Sequence, residues 1–319
     1  MAKTPERWLV AAWPGMGQVA ATAAVYLLSK LGMHQLGEFT ARDLFELDSV
    51  DVGSGLLRAT RLPRSRLFLW PDPAGKRDIV VFLGEAQPPT GKLALCQRLI
   101  KESQALGVRR VFTFSAIASD MAPNTPSRVF AVASDPETLS ELTRHGVALL
   151  ADGRISGLNG VALAAAAEAG LPAVGLLGEM PTIAPQLPYP NAAAGVLRVF
   201  SELAGLDLDF GELEEYGAAM QQQLMRIYQQ IARALSESSP QGEPEGPSEA
   251  AAQAPAASAP PSSEPELDEE EARSIERLFR QARADRSKAF ELKKELDRLG
   301  IFRRYEDRFL DLFESRPPS

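Results

Sequence analysis

The stretch Leu9-Val10-Ala11-Ala12-Trp13-Pro14-Gly15-Met16-Gly17-Gln18 decides the fold. An uncharged apolar run that ends in a glycine turn reads as a short strand buried on both faces, the signature of a parallel sheet. The turn then opens a helix, and such strand–turn–helix junctions are where open α/β sheets place their contacts. The helix over residues 18–31 carries Ala20, Ala21, Ala23 and Ala24 and stops at Gly32, so it can lie close to the sheet. Ile79-Val80-Val81-Phe82-Leu83 is a second buried strand, and residues 110–114, 129–133 and 173–177 are further ones. Weaker strands at 35–39, 56–62 and 66–70 are punctuated by Pro63, Pro71 and Pro73, which places them at edges or bends. Helices fit residues 92–106, with Gly107 as a left-handed stop, and the segment after Asp135-Pro136, an N-cap followed by proline at the first helical position. A second glycine-dense turn, residues 151–160, feeds an alanine-rich helix at 161–169 with Asn159 as its expected N-cap. Helices at 192–203 and 211–235 follow a proline-rich loop that starts at Gly178. This alternation predicts an α/β fold over residues 7–235, a three-layer α/β/α sandwich around a mostly parallel sheet.

Residues 236–265 are Pro, Ala, Ser, Glu and Gly with two Gln and no aromatic. Such a composition cannot bury enough apolar surface to fold and reads as a disordered linker. Beyond it, in residues 266–319, Ile275, Leu278, Ala282, Ala289, Leu292, Leu296 and Leu299 recur at three- and four-residue steps, a coiled-coil-like seam. Gly300 breaks the helix, and Phe302, Tyr305, Phe309 and Leu312 continue the spacing, which predicts a helical hairpin. It is too small to hold a core of its own. It is expected to pack on another copy, on the main domain or on a partner.

The chain of 319 residues has a net charge of −8 and no long basic run, so nucleic acid is not the expected partner. The single cysteine, Cys96, rules out an internal disulfide framework. Two histidines, His34 and His145, leave little material for a metal site, and both read as structural. No apolar run has the length of a membrane span, and the first residues lack a signal-peptide core. A cytoplasmic protein, with no membrane contact and no cofactor, is the expectation.

Gly15-Met16-Gly17-Gln18-Val19-Ala20 fits the G-x-G-x-x-A pattern, with Glu38 at the distance of a ribose-binding acid. Pro14, however, removes a backbone donor that a pyrophosphate needs. No Lys-Ser or Lys-Thr follows to make a phosphate loop, and Ser156 sits in no G-x-S-x-G elbow. Glu85 and Glu179 each follow a strand and a glycine. Either they meet in one cleft, or each caps backbone N–H groups and pairs with an arginine such as Arg154; the second reading carries more weight.

Four loops in register resemble the proteasome assembly chaperone 2 family: Trp13-Pro14-Gly15-Met16-Gly17; Gly84-Glu85 with Gln87-Pro88; Gly153 with Ser156-Gly157-Leu158-Asn159-Gly160; and Leu176-Leu177-Gly178-Glu179. The resemblance covers roughly residues 7–235 and implies a phosphorylase/hydrolase-like α/β/α fold, homo-oligomers and a protein partner. For some members that partner is the proteasome α subunits. Some archaeal relatives dock through a hydrophobic-Tyr-x tail, whereas this sequence reads Arg316-Pro317-Pro318-Ser319, so docking by that route is not expected. Nucleoside phosphorylases of related fold hold ribose with Glu-Met-Glu, and here Glu179-Met180-Pro181 lacks the second carboxylate. The preferred reading is a non-enzymatic assembly chaperone or scaffold. The alternative is a nucleoside- or nucleotide-binding protein with Gly15, Gly17, Gly157, Gly160, Glu85 and Glu179 around one cleft.

Overall fold

A computed structural model of the chain describes residues 5–46, 50, 52–53, 55–57, 61–183, 185–237 and 267–314. In chain order its elements are β1 (Glu6–Ala12), α1 (Val19–Lys30), β2 (His34–Phe39), β3 (Val52–Gly53), β4 (Leu56–Leu57), β5 (Ser65–Trp70), β6 (Arg77–Gly84) and α2 (Lys92–Ala105). Then come β7 (Val108–Ser119), β8 (Val129–Ala133), α3 (Pro136–Arg144), β9 (Ala148–Leu149), α4 (Gly157–Glu168), β10 (Ala173–Pro181), α5 (Pro190–Ala204) and α6 (Gly211–Glu237). Helices α7 (Glu269–Ala284), α8 (Ala289–Arg298) and α9 (Phe302–Leu310) close the described chain.

Strand β1 sits in the middle of an eight-stranded sheet of order β2-β5-β6-β1-β7-β10-β8-β9. The four central strands, β6, β1, β7 and β10, run parallel, while β5 and β8 attach antiparallel on either side. The sheet is therefore mixed, with the expected parallel run as its core. Side chains of β1 alternate between two clusters: Trp8, Val10 and Ala12 point to one face, and Leu9, Ala11 and Trp13 to the other. Helices α2 and α4 cover the second face. Helices α1 and α5 cover the first, and all but two of the residues of α1 are buried. A helix apolar on every side has to be enclosed. Its outer face meets α6 and the C-terminal helices.

Several boundaries differ from the sequence reading. Strand β10 runs through Pro181, so Gly178 and Glu179 lie in a strand and not in a loop. Pairing with the long β7 continues to Pro181 opposite Ser119, and bare Gly178 lets α5 approach, since a Cβ there would lie 2.8 Å from the Ala192 carbonyl oxygen. Helix α4 begins at Gly157, which puts Asn159 inside the first turn instead of at the N-cap. Of the strand expected at 56–62, β4 covers only Leu56–Leu57, and residues 58–60 lie outside the described residues. The linker expected at 236–265 lies outside them as well, apart from its first two residues, which end α6.

The C-terminal seam is not one continuous coiled coil. Asp285 leaves the helical conformation (φ −139°, ψ 107°) and its carboxylate accepts from Ser287 N at 3.0 Å, which splits the seam into α7 and α8. The three helices pack on the chain's own sheet domain. Ser29 of α1 donates to the carbonyls of Arg286 and Ser287 at 3.0 Å each, and Phe290 meets Tyr26 edge-on at 4.7 Å. Phe313 meets Phe68 of β5 at 6.1 Å. Ile275, Leu292, Leu296 and Phe309 are buried in this cluster, and Leu278, Phe302 and Tyr305 pack partly buried against it. Of the three surfaces expected for the seam residues, another copy, the main domain or a partner, they use the main domain, because the aromatic faces of α1 and β5 offer them an apolar partner of high local concentration.

Charge also ties the unit down. Arg66, fully buried, reaches Asp307 at 2.8 Å and Asp311 at 3.2 Å; Arg61 and Arg64 reach Asp307 at 2.7 and 3.0 Å. Burial, reinforced by the nearby Glu85 carboxylate, pushes Glu306 up to about 7, against the opposing pull of Lys293, Arg61 and Arg303. A carboxyl whose folded pKa is raised gives its full stabilisation below its unfolded value and loses it as pH rises through the folded one. Docking of α7–α9 should therefore loosen between about pH 5 and pH 7, the interval between the ordinary and the raised value. Amide exchange in α9 measured at both pH values, corrected for intrinsic rates, checks this. Glu306→Gln should flatten the dependence, and equal protection at the two pH values would contradict it.

Candidate functional site

Three of the four glycine loops meet at the carboxyl ends of the parallel strands. Gly15 and Met16 follow β1, Gln87 follows β6, and residues 153–157 lead into α4. Together with residues 115–118 of β7, Leu150, Asp152, Asn159 and Leu177, they line a cleft of about 430 Å³. This is the position at which open α/β sheets bind ligands, and the size is that of an ordinary small-molecule pocket.

Gln87 holds the loops together. Its Nε2 donates to the Pro14 carbonyl at 2.9 Å, and its Oε1 accepts from Leu158 N at 3.2 Å. Gly157 (φ +74°) faces this amide; a Cβ would stand 3.0 Å from Oε1. Gly160 is fixed by space: a Cβ would lie 2.1 Å from the Ile155 carbonyl oxygen, closer than any side chain permits. Gly17 is covered, not open. Its N–H donates to Pro185 at 2.8 Å and its carbonyl accepts from Tyr189 N at 2.8 Å, so it carries no free donor for a phosphate. Gly84 lies under the Trp13 indole, with a Cβ 2.6 Å from the ring. Gly15 alone of these turn glycines in the first two loops opens onto the cleft, and Met16 beside it is 40% exposed.

The two carboxylates do not meet there. Glu85 turns toward the C-terminal helices, accepting from Arg61 at 2.6 Å and from Arg64 N at 2.8 Å. Glu179 is gripped by Arg128, the residue before β8, with Nε to Oε2 and Nη2 to Oε1 both at 2.7 Å. That guanidinium holds the Glu179 carboxyl below its usual range. Both Glu179 oxygens are taken by the guanidinium, whereas both bonds to Glu85 fall on Oε2 and its Oε1 is buried without a partner, on the side away from the cleft lining. The arginine partners are Arg61 and Arg128, not Arg154, which lines the cleft instead. Sequence reading missed both. The arginines at 61, 64 and 66 were their own signal, an odd density of cations at the start of β5, but their acidic counterparts in α9 lie some 240 positions away. Cys96 is buried under α4, its thiol pushed up to about 12, and cannot serve as a nucleophile near neutrality. His145 caps the end of α3 as expected, its Nδ1 3.4 Å from Glu202. Among the described residues no group of His, Cys, Asp and Glu is placed to hold a metal ion.

A parallel-cored sheet between two helical layers, with glycine loops gathered over its carboxyl end by one glutamine, defines a three-layer α/β/α protein. The chain belongs to the PAC2 family, which it matches over residues 9–228. It is 26% identical over 226 residues to the uncharacterized protein MJ1210 of Methanocaldococcus jannaschii, an alignment covering 69% of this chain and 82% of that one. Among solved structures it resembles PbaB of Pyrococcus furiosus, described as an archaeal proteasome activator (TM-score 0.61, 20% identity, 72% of this chain and 96% of that). It also resembles P. furiosus PbaA, an archaeal homolog of proteasome-assembly chaperone (TM-score 0.54, 25% identity, 73% and 96%). A third likeness is the Mycobacterium tuberculosis proteasome-assembly chaperone homologue Rv2125 (TM-score 0.59, 21% identity, 69% and 94%). The family match stops before α7–α9.

Proposed function

We propose that this chain is a non-enzymatic assembly chaperone or scaffold, cytoplasmic and homo-oligomeric, that acts on a protein partner. Family membership supports a chaperone-like role, and the withdrawal of Glu85 and Glu179 into ion pairs removes the acids that a phosphorylase-like reaction would use. The observation that carries the reading is the apolar hairpin of β3 and β4, where Val52, Leu56 and Leu57 are 63%, 72% and 74% exposed. Adjacent large aliphatic side chains left this open to water mark protein-binding surfaces in folded proteins. Proteasome α subunits are the partner class to try first.

Two measurements test the proposal. Light scattering on the purified protein should give a mass above one chain, and the Leu56→Asp, Leu57→Asp double variant should lower it or abolish binding to purified proteasome α subunits. A monomer that binds no α subunit, or a double variant with unchanged mass and unchanged binding, would overturn the hairpin's role. The variant's thermal melt should match that of the parent, because neither side chain is buried.

A further inference from the structure

The carboxylates leave the cleft, and what remains in it is a different chemistry. Helix α4 begins there with no side-chain cap from Ser156. Gln87 Oε1 takes one of its first N–H groups, that of Leu158, and a helix amino terminus presents its other first-turn N–H groups and a partial positive charge to whatever lies in front of it. In the same wall, Asn159 is 7% exposed and its Oδ1 has no hydrogen-bond partner. A buried amide left unpartnered costs of order 1–3 kcal/mol, so its retention at a cleft needs a reason. Among the described residues the NH₂ group of the same amide has no hydrogen-bond partner either, and it is the group that can donate to an anion. Arg154, exposed on the loop before α4, brings a full cation to the rim.

We infer that the cleft is a binding site for a small molecule carrying a single oxyanion, a carboxylate or a phosphate monoester, seated between the amino terminus of α4, Asn159 and Arg154. The opposite wall, built of Met16, Ala116, Ile117 and Leu177, receives an apolar or planar body. Asp152 on the same loop sets the charge limit. Its carboxylate offsets Arg154, leaving the helix terminus as the net positive element, enough for one anion and not for a polyphosphate. The site thus rejects the nucleoside triphosphates that a glycine-rich turn first suggests. Nothing in this argument uses the β3–β4 hairpin, so the site stands or falls independently of partner binding.

Isothermal titration of the full chain with inorganic phosphate, benzoate, adenosine, adenosine monophosphate and adenosine triphosphate tests the inference. Saturable heat is expected with benzoate or adenosine monophosphate. Adenosine should bind at least tenfold more weakly than its monophosphate, and the triphosphate more weakly again. Benzoate without the monophosphate would identify a carboxylate site, and the reverse a phosphate site; inorganic phosphate reports how much affinity the anion supplies alone. Arg154→Ala, an exposed change that leaves folding intact, should weaken binding about tenfold, and Asn159→Leu should abolish it. If Asn159→Leu fails to fold, the Arg154 variant alone decides. No heat with any anion at 10-millimolar order, equal affinity for adenosine and its monophosphate, or binding untouched by Arg154→Ala would each overturn the site.

Discussion

Phe290→Ala should destabilise the protein by about 3–5 kcal/mol, the range for deleting a buried phenyl group from a packed core. The ring is fully buried and sits against two tyrosines, edge-on to Tyr26 of α1 at 4.7 Å and to Tyr216 of α6 at 6.2 Å. It is therefore the point where three parts of the chain far apart in sequence share one contact. Removing it also strips cover from the ion pair of Lys293 with Asp297, 2.6 Å long and almost wholly buried, to which the Tyr216 hydroxyl donates at 3.4 Å. The expected readouts are a lower denaturation midpoint and a loss of amide protection across α7–α9, with β1 and β7 unchanged. Phe290→Leu should recover more than half of the loss. A shift below about 1 kcal/mol, the size of an ordinary surface substitution, would mean that the C-terminal helices do not dock on the sheet domain in solution.

The central sheet was legible because its strands are written in the simplest code. Residues 9–13, 79–83 and 173–177 are unbroken apolar runs, and a strand buried on both faces needs nothing else. The extension of β10 through Gly178 and Glu179 was hidden for the opposite reason. A glycine followed by an acid reads as a turn, and only the close approach of α5 and the arginine just before β8 make that pair fit a strand. At the cleft, Gly15, Gln87, Gly153, Ser156, Gly157 and Asn159 were picked out by the glycine turns and the family resemblance together, and they line it. Gly160 and Pro14 support it from behind, through the Ile155 carbonyl and the Gln87 amide. The positions of Glu85 and Glu179 were not legible, since an ion pair is set by a partner that periodicity does not reveal. The break at Asp285 shows the same limit. Three- and four-residue spacing continued across it, but a side chain that can cap its own turn outweighed the pattern.

The largest electrostatic effect should come from removing both carboxylates that face Arg66. Among the described residues its ion-pair partners are Asp307 and Asp311, and its side chain is 0% exposed. Arg61 and Arg64 lose less, because Glu85 and Glu38 remain beside them. Asp307→Ala with Asp311→Ala would strand a guanidinium in an apolar interface, and breaking a buried pair from one side costs about 3–5 kcal/mol. The chain has an escape that caps this cost: α7–α9 can lift away and let water reach Arg66. The expected outcome is undocking, read as protease cleavage within α7 or α9 and as lost exchange protection there, while the sheet core stays folded. Arg66 is already poorly served, with Nε and Nη1 lacking a hydrogen-bond partner of good geometry. Adding Arg66→Met to the double variant should therefore restore docking, since an apolar residue of similar length replaces a costly ion by packing. If the triple variant remains as open as the double, the acidic residues hold the unit through Arg61 and Arg64 at the rim. The double variant's defect should then grow smaller as salt screens those exposed pairs in the parent. A defect indifferent to salt, together with rescue by Arg66→Met, identifies the buried arginine as the latch.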